Sequence, residues 1–128
     1  MKTITNNSAL IISDSMQNKI SSTIKNALIE SGITNIEFSS DEKSIESSST
    51  LPNLIVADVT NQNSRVMFEL GKAINLKKPI LLLLSIENSG KLPPDLYNNL
   101  IVTYEPDNLE SLKDKLKTMI ERKIYSMH

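Results

Sequence analysis

Residues 54–84 read LIVADVTNQNSRVMFELGKAINLKKPILLLL, and this stretch decides the fold. Its two continuous apolar runs, 54–57 and 80–84, are typical of strands that are covered on both faces. Between them, apolar residues recur at helical spacing over 64–76, and Pro79 ends the helical pattern because proline disfavours helical geometry in the residue before it. The order of strand, helix and strand predicts a parallel βαβ unit.

The same alternation extends to both sides of this unit. Further strands are predicted over 9–12, 33–38 and 101–104, and a first helix is predicted to end at Gly32. The last helix is predicted to be capped by Asp107 with Glu110, with a buried stripe of Leu109, Leu112, Leu116, Ile120 and Ile124. Residues 39–50 are predicted to form a loop with one turn of helix at most. Five strands and roughly four helices predict a single-domain α/β fold, a flavodoxin-like three-layer sandwich with a parallel sheet in the order 2-1-3-4-5.

Composition narrows the classes of function. The 128 residues suit one domain, and 14 basic against 15 acidic residues provide no broad positive field for a nucleic-acid polymer. With no cysteine, and with His128 as the one histidine, the sequence predicts no metal site, and it predicts no cofactor. No stretch approaches the roughly 20 apolar residues that cross a bilayer, and the run 9–12 is too short for a signal peptide. We therefore expect a cytoplasmic protein with no membrane partner.

The predicted strand order places a ligand site before any function is assumed. In such sheets, ligands bind beyond the carboxyl ends of the strands where the strand order reverses, here between strands one and three. That position brings Ser13 and Asp14 beside the loop 58–63.

Two carboxylates are the candidates for chemistry. Glu69 projects to the edge of the apolar helix stripe, near Ala73, where a carboxylate can be partly buried and still reach a pocket; a solvated helix glutamate is the alternative. Asp58 ends a predicted buried strand and is expected to point into the crevice; an Asx turn is its alternative.

The remaining candidates line the same crevice. The polar loop can hold a phosphate at a helix N-terminus, although it lacks glycine and matches no phosphate-binding motif. Arg65 can clamp an anion or lie on the surface. Ser85, after strand four, can face the crevice or form a turn. These candidates are Thr60, Asn61, Asn63, Ser64, Arg65 and Ser85, with Asn63 or Ser64 also predicted to cap the helix.

A family resemblance adds to this interpretation. Residues 56–73, VADVTNQNSRVMFELGKA, followed by Lys78-Pro79, resemble the pattern A-D-[LV]-T-x-x-N-x-N-V-x-[YF]-E-L-G-x-A, then K-P, of the nucleoside 2-deoxyribosyltransferase-like superfamily. This superfamily includes deoxynucleoside monophosphate N-glycosidases and merges into TIR-like nucleotide-binding domains. The later segments 92–96 and 101–104 also look like the family's ending.

The resemblance implies roles for single residues. Glu69 stands at the position of the glutamate that attacks the anomeric carbon, which forms a glycosyl ester. Asp58 would contact the sugar or help to protonate the leaving base. Asn63 and Ser64 would lie near the sugar or its 5′ phosphate, with Ser13 and Asp14 as the opposite wall. The implied partner is a nucleoside or nucleotide, and the family's shared active sites imply a homo-oligomer.

Two departures from the pattern bear on the activity. Arg65 replaces the usual Asn or Gly, which adds an anion contact or blocks the pocket. The segment 39–50 is shorter than in the family, so the pocket would be open to water, which favours hydrolysis over base exchange, or else binding without reaction.

Three hypotheses therefore remain. The leading one is N-glycosidic cleavage or transfer on a nucleoside, nucleotide or NAD-like substrate, with Glu69 as nucleophile. The second is a catalytically inactive TIR-like module that binds a nucleotide or protein in signalling, as in phage defence. The third is a phosphoacceptor receiver domain at Asp58, which also requires an acidic pair after strand one and a lysine after strand five. At these positions the chain offers only Asp14 and, after Tyr104, Glu105-Pro106.

Overall fold

The computed structural model describes residues 7–14, 19–39, 52–61, 63–88 and 100–126. The strands are β1 (Ser8–Ile12), β2 (Asn35–Ser39), β3 (Leu54–Asp58), β4 (Ile80–Ser85) and β5 (Leu100–Tyr104). The helices are α1 (Lys19–Glu30), α2 (Ser64–Ile74) and α3 (Leu109–Ser126), with a 3₁₀ turn at Ile86–Asn88. Within the described ranges, no helix is both long and apolar enough to span a bilayer.

The five strands form one parallel sheet in the order β2-β1-β3-β4-β5, so the predicted flavodoxin-like α/β fold is confirmed. The described ranges contain three α-helices rather than roughly four. The loop predicted over 39–50 lies, apart from Ser39 in β2, outside the described residues.

Helices cover both faces of the sheet and divide its core in two. Strand side chains alternate between the faces, so each strand contributes to both halves. The α1·α3 cluster joins one set of strand residues to these two helices, and includes Ile11, Ile24, Leu28, Val56, Leu83, Val102, Tyr104, Leu116 and Ile120. The α2 cluster lies on the other face, and includes Leu10, Ile12, Ile55, Ala57, Val66, Leu70, Ala73 and Leu82.

The prediction that β2 begins at residue 33 is wrong, because Ile33 belongs to the end of α1. Gly32 has a φ of 96°, which favours glycine, and its N–H donates to the carbonyl of Ile29 at 3.0 Å. The N–H of Ile33 donates to the carbonyl of Leu28 at 3.0 Å, and both side chains lie in the α1·α3 cluster. This is a Schellman motif, in which the apolar residue after glycine packs back on the helix.

The predicted cap of α3 is also wrong by one residue. The carboxamide oxygen of Asn108, not Asp107, accepts a hydrogen bond from the N–H of Ser111 at 3.3 Å. Asn108 itself is held in a turn, since its N–H donates to the carbonyl of Glu105 at 3.0 Å. The helix therefore begins at Leu109, and asparagine supplies the cap oxygen as well as aspartate would.

Among the described strands, β5 lies at the edge of the sheet and pairs with β4 on one side. The Lys115 ammonium, from α3, donates to the carbonyl of Thr103 at 3.3 Å. The side chain of Lys115 thus lies along this edge and occupies one of its backbone acceptors.

Candidate functional site

Asp58 lies at the carboxyl end of β3 and forms a tight turn with Thr60. Its Oδ1 accepts the Thr60 N–H at 3.1 Å and the Thr60 hydroxyl at 2.7 Å. The Asx turn offered by the sequence as the alternative is therefore present. The turn uses only one carboxylate oxygen, Oδ1.

Tyr104 and Ser85 complete this cluster from the neighbouring strands. The Tyr104 hydroxyl lies 3.1 Å from the Thr60 hydroxyl and 3.4 Å from Oδ2 of Asp58. The Ser85 N–H donates to the Thr60 hydroxyl at 3.0 Å, while the Ser85 hydroxyl accepts the N–H of Glu87 at 3.3 Å. Ser85 thus acts through its backbone and forms the turn that was its alternative. We name Asp58, Thr60, Ser85 and Tyr104 the acid cluster.

The environment of the acid cluster disfavours charge on its two titratable groups. Burial raises the pKa of Asp58 above its ordinary value of 3.8, against the hydrogen bonds from Thr60, and the nearby Asp14 raises it as well. Burial also raises the pKa of Tyr104, to about 12. Tyr104 therefore keeps its proton at neutral pH and can serve as a donor to Asp58.

We expect the raised pKa of Asp58 to appear in the pH dependence of stability. A carboxyl whose pKa is higher in the folded state stabilises the fold most when protonated, and this contribution disappears as pH rises through the folded-state pKa. Asp58→Asn removes the titration and keeps a side-chain oxygen for Thr60. The free energy of unfolding of this variant, relative to wild type, should therefore rise as pH increases from about 3 to about 8. Urea unfolding across this range measures it, and a falling difference would contradict the assignment.

Glu69 lies in the second turn of α2 and is 4% exposed, so it is not the solvated helix glutamate offered as its alternative. Its Oε1 lies 3.9 Å from the Lys72 ammonium. Lys72 also lies over the ring of Phe68, 4.4 Å from the ring centroid, and that ring is 63% exposed. The Glu69 carboxylate is thus buried, and the Lys72 ammonium lies beside it at the boundary with solvent.

Arg65 spans the carboxyl ends of β1 and β2. Its guanidinium donates to the carbonyl of Ser13 and, at 3.3 Å, to the carbonyl of Ser39. Arg65 stands four residues before Glu69, so both lie on the same side of α2. The arginine therefore joins the start of α2 to the crevice where the sequence predicts a ligand.

The other predicted residues divide between the crevice and local structure. Asn61 donates to Oδ2 of Asp14 at 2.7 Å, which joins the loops after β3 and β1. The Ser13 hydroxyl instead bonds to Ser21 of α1 at 2.7 Å. Asn63 is confirmed as the cap of α2, since its oxygen accepts the N–H of Arg65 at 2.8 Å. Ser64 is exposed at the first position of that helix.

Glu69 and Asp58 belong to different faces of the sheet. Asp58 follows Val56 by two residues, so it shares the face of the α1·α3 cluster, and its partner Tyr104 belongs to that cluster. Glu69 is carried by α2, which packs on the opposite face. The two carboxylates therefore lie on opposite sides of the sheet, Asp58 with the α1·α3 cluster and Glu69 on α2.

Tyr104 is a residue that the sequence analysis missed as a site residue. The sequence assigns it only to the fifth strand, and its importance depends on a tyrosine side chain passing β4 to reach β3. The one available signal was the predicted strand order. In that order, Tyr104 stands at the carboxyl end of a strand that lies two places from the strand of Asp58.

The described residues contain no group of three or more His, Cys, Asp and Glu side chains that could hold a metal ion.

Comparisons with known proteins bear on the fold alone. No protein-family profile matches the chain, and no curated protein matches it. One similar solved structure is described as a trimeric coiled-coil segment of yeast Spc42, amino acids 181–211, fused to another structure. The match covers 98% of this chain and 87% of the other chain, with 17% sequence identity and a TM-score of 0.53. This similarity supports the overall fold and no functional assignment.

Proposed function

We propose that this protein cleaves the N-glycosidic bond of a nucleoside, nucleotide or NAD-like substrate, as a member of the nucleoside 2-deoxyribosyltransferase-like superfamily. One observation carries the proposal. Glu69, at the family's nucleophile position, is the one charged side chain among the buried residues that the structure describes. Acidic side chains are seldom buried without a role, so this burial favours a functional glutamate over a surface one.

The proposed reaction is a double displacement. A Glu69 oxygen forms a bond to the anomeric carbon while the bond from that carbon to the base breaks, and the electron pair stays on the base nitrogen. The proton of a protonated Asp58 passes to that nitrogen. Water then attacks the glycosyl ester, which releases the sugar and the Glu69 carboxylate, and the proton lost by water restores Asp58.

The placement of the two carboxylates supports this sequence of steps. A displacement at the anomeric carbon requires the nucleophile and the leaving base on opposite sides of that carbon. Glu69 and Asp58 belong to opposite faces of the sheet and both stand near its carboxyl edge. The raised pKa of Asp58 favours the protonated form that a general acid requires.

Chromatographic detection of free base tests the proposal. The purified protein is incubated separately with deoxynucleosides, deoxynucleoside monophosphates and NAD. We expect base to appear from at least one of these classes, and the reactive class identifies the substrate. A second arm adds a different free base, since transfer would yield a new nucleoside and hydrolysis would yield free sugar. No release from any class by the folded protein would overturn the proposed cleavage.

A second candidate is a binding module without turnover, the TIR-like alternative. The observation that favours it is Arg65, whose guanidinium bonds to the carbonyls of Ser13 and Ser39 across the crevice. Calorimetric titration with the same nucleotides separates the candidates, because binding without base release would support this one. The homo-oligomer and the cytoplasmic location implied above stay predictions.

A further inference from the structure

The hydroxyl protons of Thr60 and Tyr104 decide how the Asp58 carboxyl is hydrogen-bonded within the acid cluster. Thr60 has one hydroxyl proton, and the 2.7 Å contact assigns it to Oδ1 of Asp58. The Thr60 oxygen then acts as an acceptor, and it receives the Ser85 N–H at 3.0 Å. Its remaining lone pair faces the Tyr104 hydroxyl at 3.1 Å.

Tyr104 also has one hydroxyl proton, but it has two acceptors within reach. These are the Thr60 oxygen at 3.1 Å and Oδ2 of Asp58 at 3.4 Å. A hydroxyl proton rotates about its C–O bond to suit its partners. The position of the Tyr104 proton therefore depends on the protonation state of Asp58.

Two arrangements of the Tyr104 proton are compatible with these distances. When Asp58 is ionised, Tyr104 donates to the charged Oδ2 atom. When Asp58 carries a proton on Oδ2, the Tyr104 proton turns to Thr60, and the Tyr104 oxygen can accept the Asp58 proton. In both arrangements Thr60 and Ser85 keep their hydrogen bonds unchanged. The hydroxyl of Tyr104 is thus the one part of the acid cluster that has to rotate.

We propose that Tyr104 is a positioning residue that provides Asp58 with a hydrogen-bond partner in both of its protonation states, so that Asp58 can lose and regain a proton while its side chain stays in place. This inference rests on the proposed function, in which Asp58 gives its proton to the departing base nitrogen. At that moment the Tyr104 proton turns from Thr60 to Oδ2 and stabilises the new carboxylate. When water later returns a proton to Oδ2, the hydroxyl turns back.

The surroundings are suited to this role. Tyr104 is 4% exposed, so little bulk solvent reaches it, and this residue lines a cavity of about 80 Å³ with Glu105 and Lys115. Asp14 is the charged group that acts on both Asp58 and Tyr104, and it opposes ionisation of each. A neutral donor at Oδ2 is therefore an important source of stability for the Asp58 carboxylate.

Tyr104→Phe tests the inference because it removes the hydroxyl and keeps the buried ring. The readout is the titration midpoint of the Asp58 carboxyl, followed by carbon NMR in protein labelled at the aspartate carboxyl groups. The signal is assigned by its absence from Asp58→Asn. Tyr104→Phe removes a partner from both forms of Asp58, and we expect the midpoint to rise by about 0.5 pH unit because the bond lost by the charged form is the stronger one. Thr118→Val is the control, because it removes a hydroxyl that donates to the Asp114 carbonyl within α3 at 3.2 Å, and it should leave the midpoint unchanged.

A midpoint that stays the same or falls in Tyr104→Phe would overturn the inference. This measurement needs no substrate, so it separates the inference from the proposed function. If Tyr104→Phe raises the midpoint but the wild-type protein releases no base, the role of Tyr104 toward Asp58 is supported and the proposed glycosidase activity is rejected. With an active substrate, kcat of Tyr104→Phe should fall while KM stays within about twofold, and the pH profile of kcat should move with the Asp58 midpoint. An unshifted profile would overturn the positioning role.

Discussion

Glu69→Gln is expected to reduce base release by about 10³-fold or more in kcat, with little change in KM. The substitution keeps the size of the side chain and the ability to hydrogen-bond, but an amide is a poor nucleophile and cannot form the glycosyl ester. Because the side chain is 4% exposed, an uncharged replacement also removes no solvated surface charge, and the fold should be retained. The measurement is the chromatographic assay, run with the substrate class that wild type cleaves.

Glu110→Gln provides the matched control for this experiment. Glu110 lies in the first turn of α3 with its side chain 85% exposed, and it should tolerate the same chemical change without loss of activity. Full activity in Glu69→Gln would remove this glutamate from the mechanism and require another nucleophile. Equal loss in both variants would show that the effect comes from general disturbance and not from the chemistry of one carboxylate.

The second large effect is expected on stability. Ile55 lies in β3, between β1 and β4, and is fully buried in the α2 cluster. Ile55→Ala removes packing against both the sheet and α2, and the surrounding strands cannot close the space completely. We expect the free energy of unfolding to fall by about 3 kcal/mol, as measured by urea denaturation.

Ile29→Ala is the control, because the same atoms are removed from a side chain that is 49% exposed in α1. Its free energy of unfolding should stay within about 0.5 kcal/mol of wild type. If the two variants lost the same stability, Ile55 would not have the buried position described for β3. That result would challenge the assignment of the central strand and therefore the placement of Asp58 at its end.

The fold was predictable because its determinants are local. Continuous apolar runs identify the central strands, helical spacing identifies α2, and the right-handed crossover rule leaves few ways to order the strands. The errors occur where one residue satisfies two patterns. Ile33 is apolar and follows a glycine, so it fits the start of a strand as well as the packing residue of a helix end. Asn108 and Asp107 are both good caps, and only the backbone geometry separates them.

The site was predictable in part for a related reason. The positions of Asp58 and Glu69 follow from where one strand ends and the next helix turns, which the sequence pattern conveys. The contact of Tyr104 with Asp58 depends on side chains meeting across an intervening strand, and no spacing within the chain reports it. The contacts of Arg65 were unpredictable for the same reason. Its partners are the backbone carbonyls of Ser13 and Ser39, which are distant in sequence and which every residue type carries.

The lysine along β5 has a consequence for how copies of this protein meet. An exposed strand edge attracts other strands, because its free N–H and C=O groups can extend the sheet into a neighbouring molecule. Here Lys115 occupies the Thr103 carbonyl, and an incoming strand would have to displace this bond and bury an ammonium group. Self-pairing at this position of β5 is therefore disfavoured, in the same way that lysines on sheet edges discourage edge-to-edge aggregation.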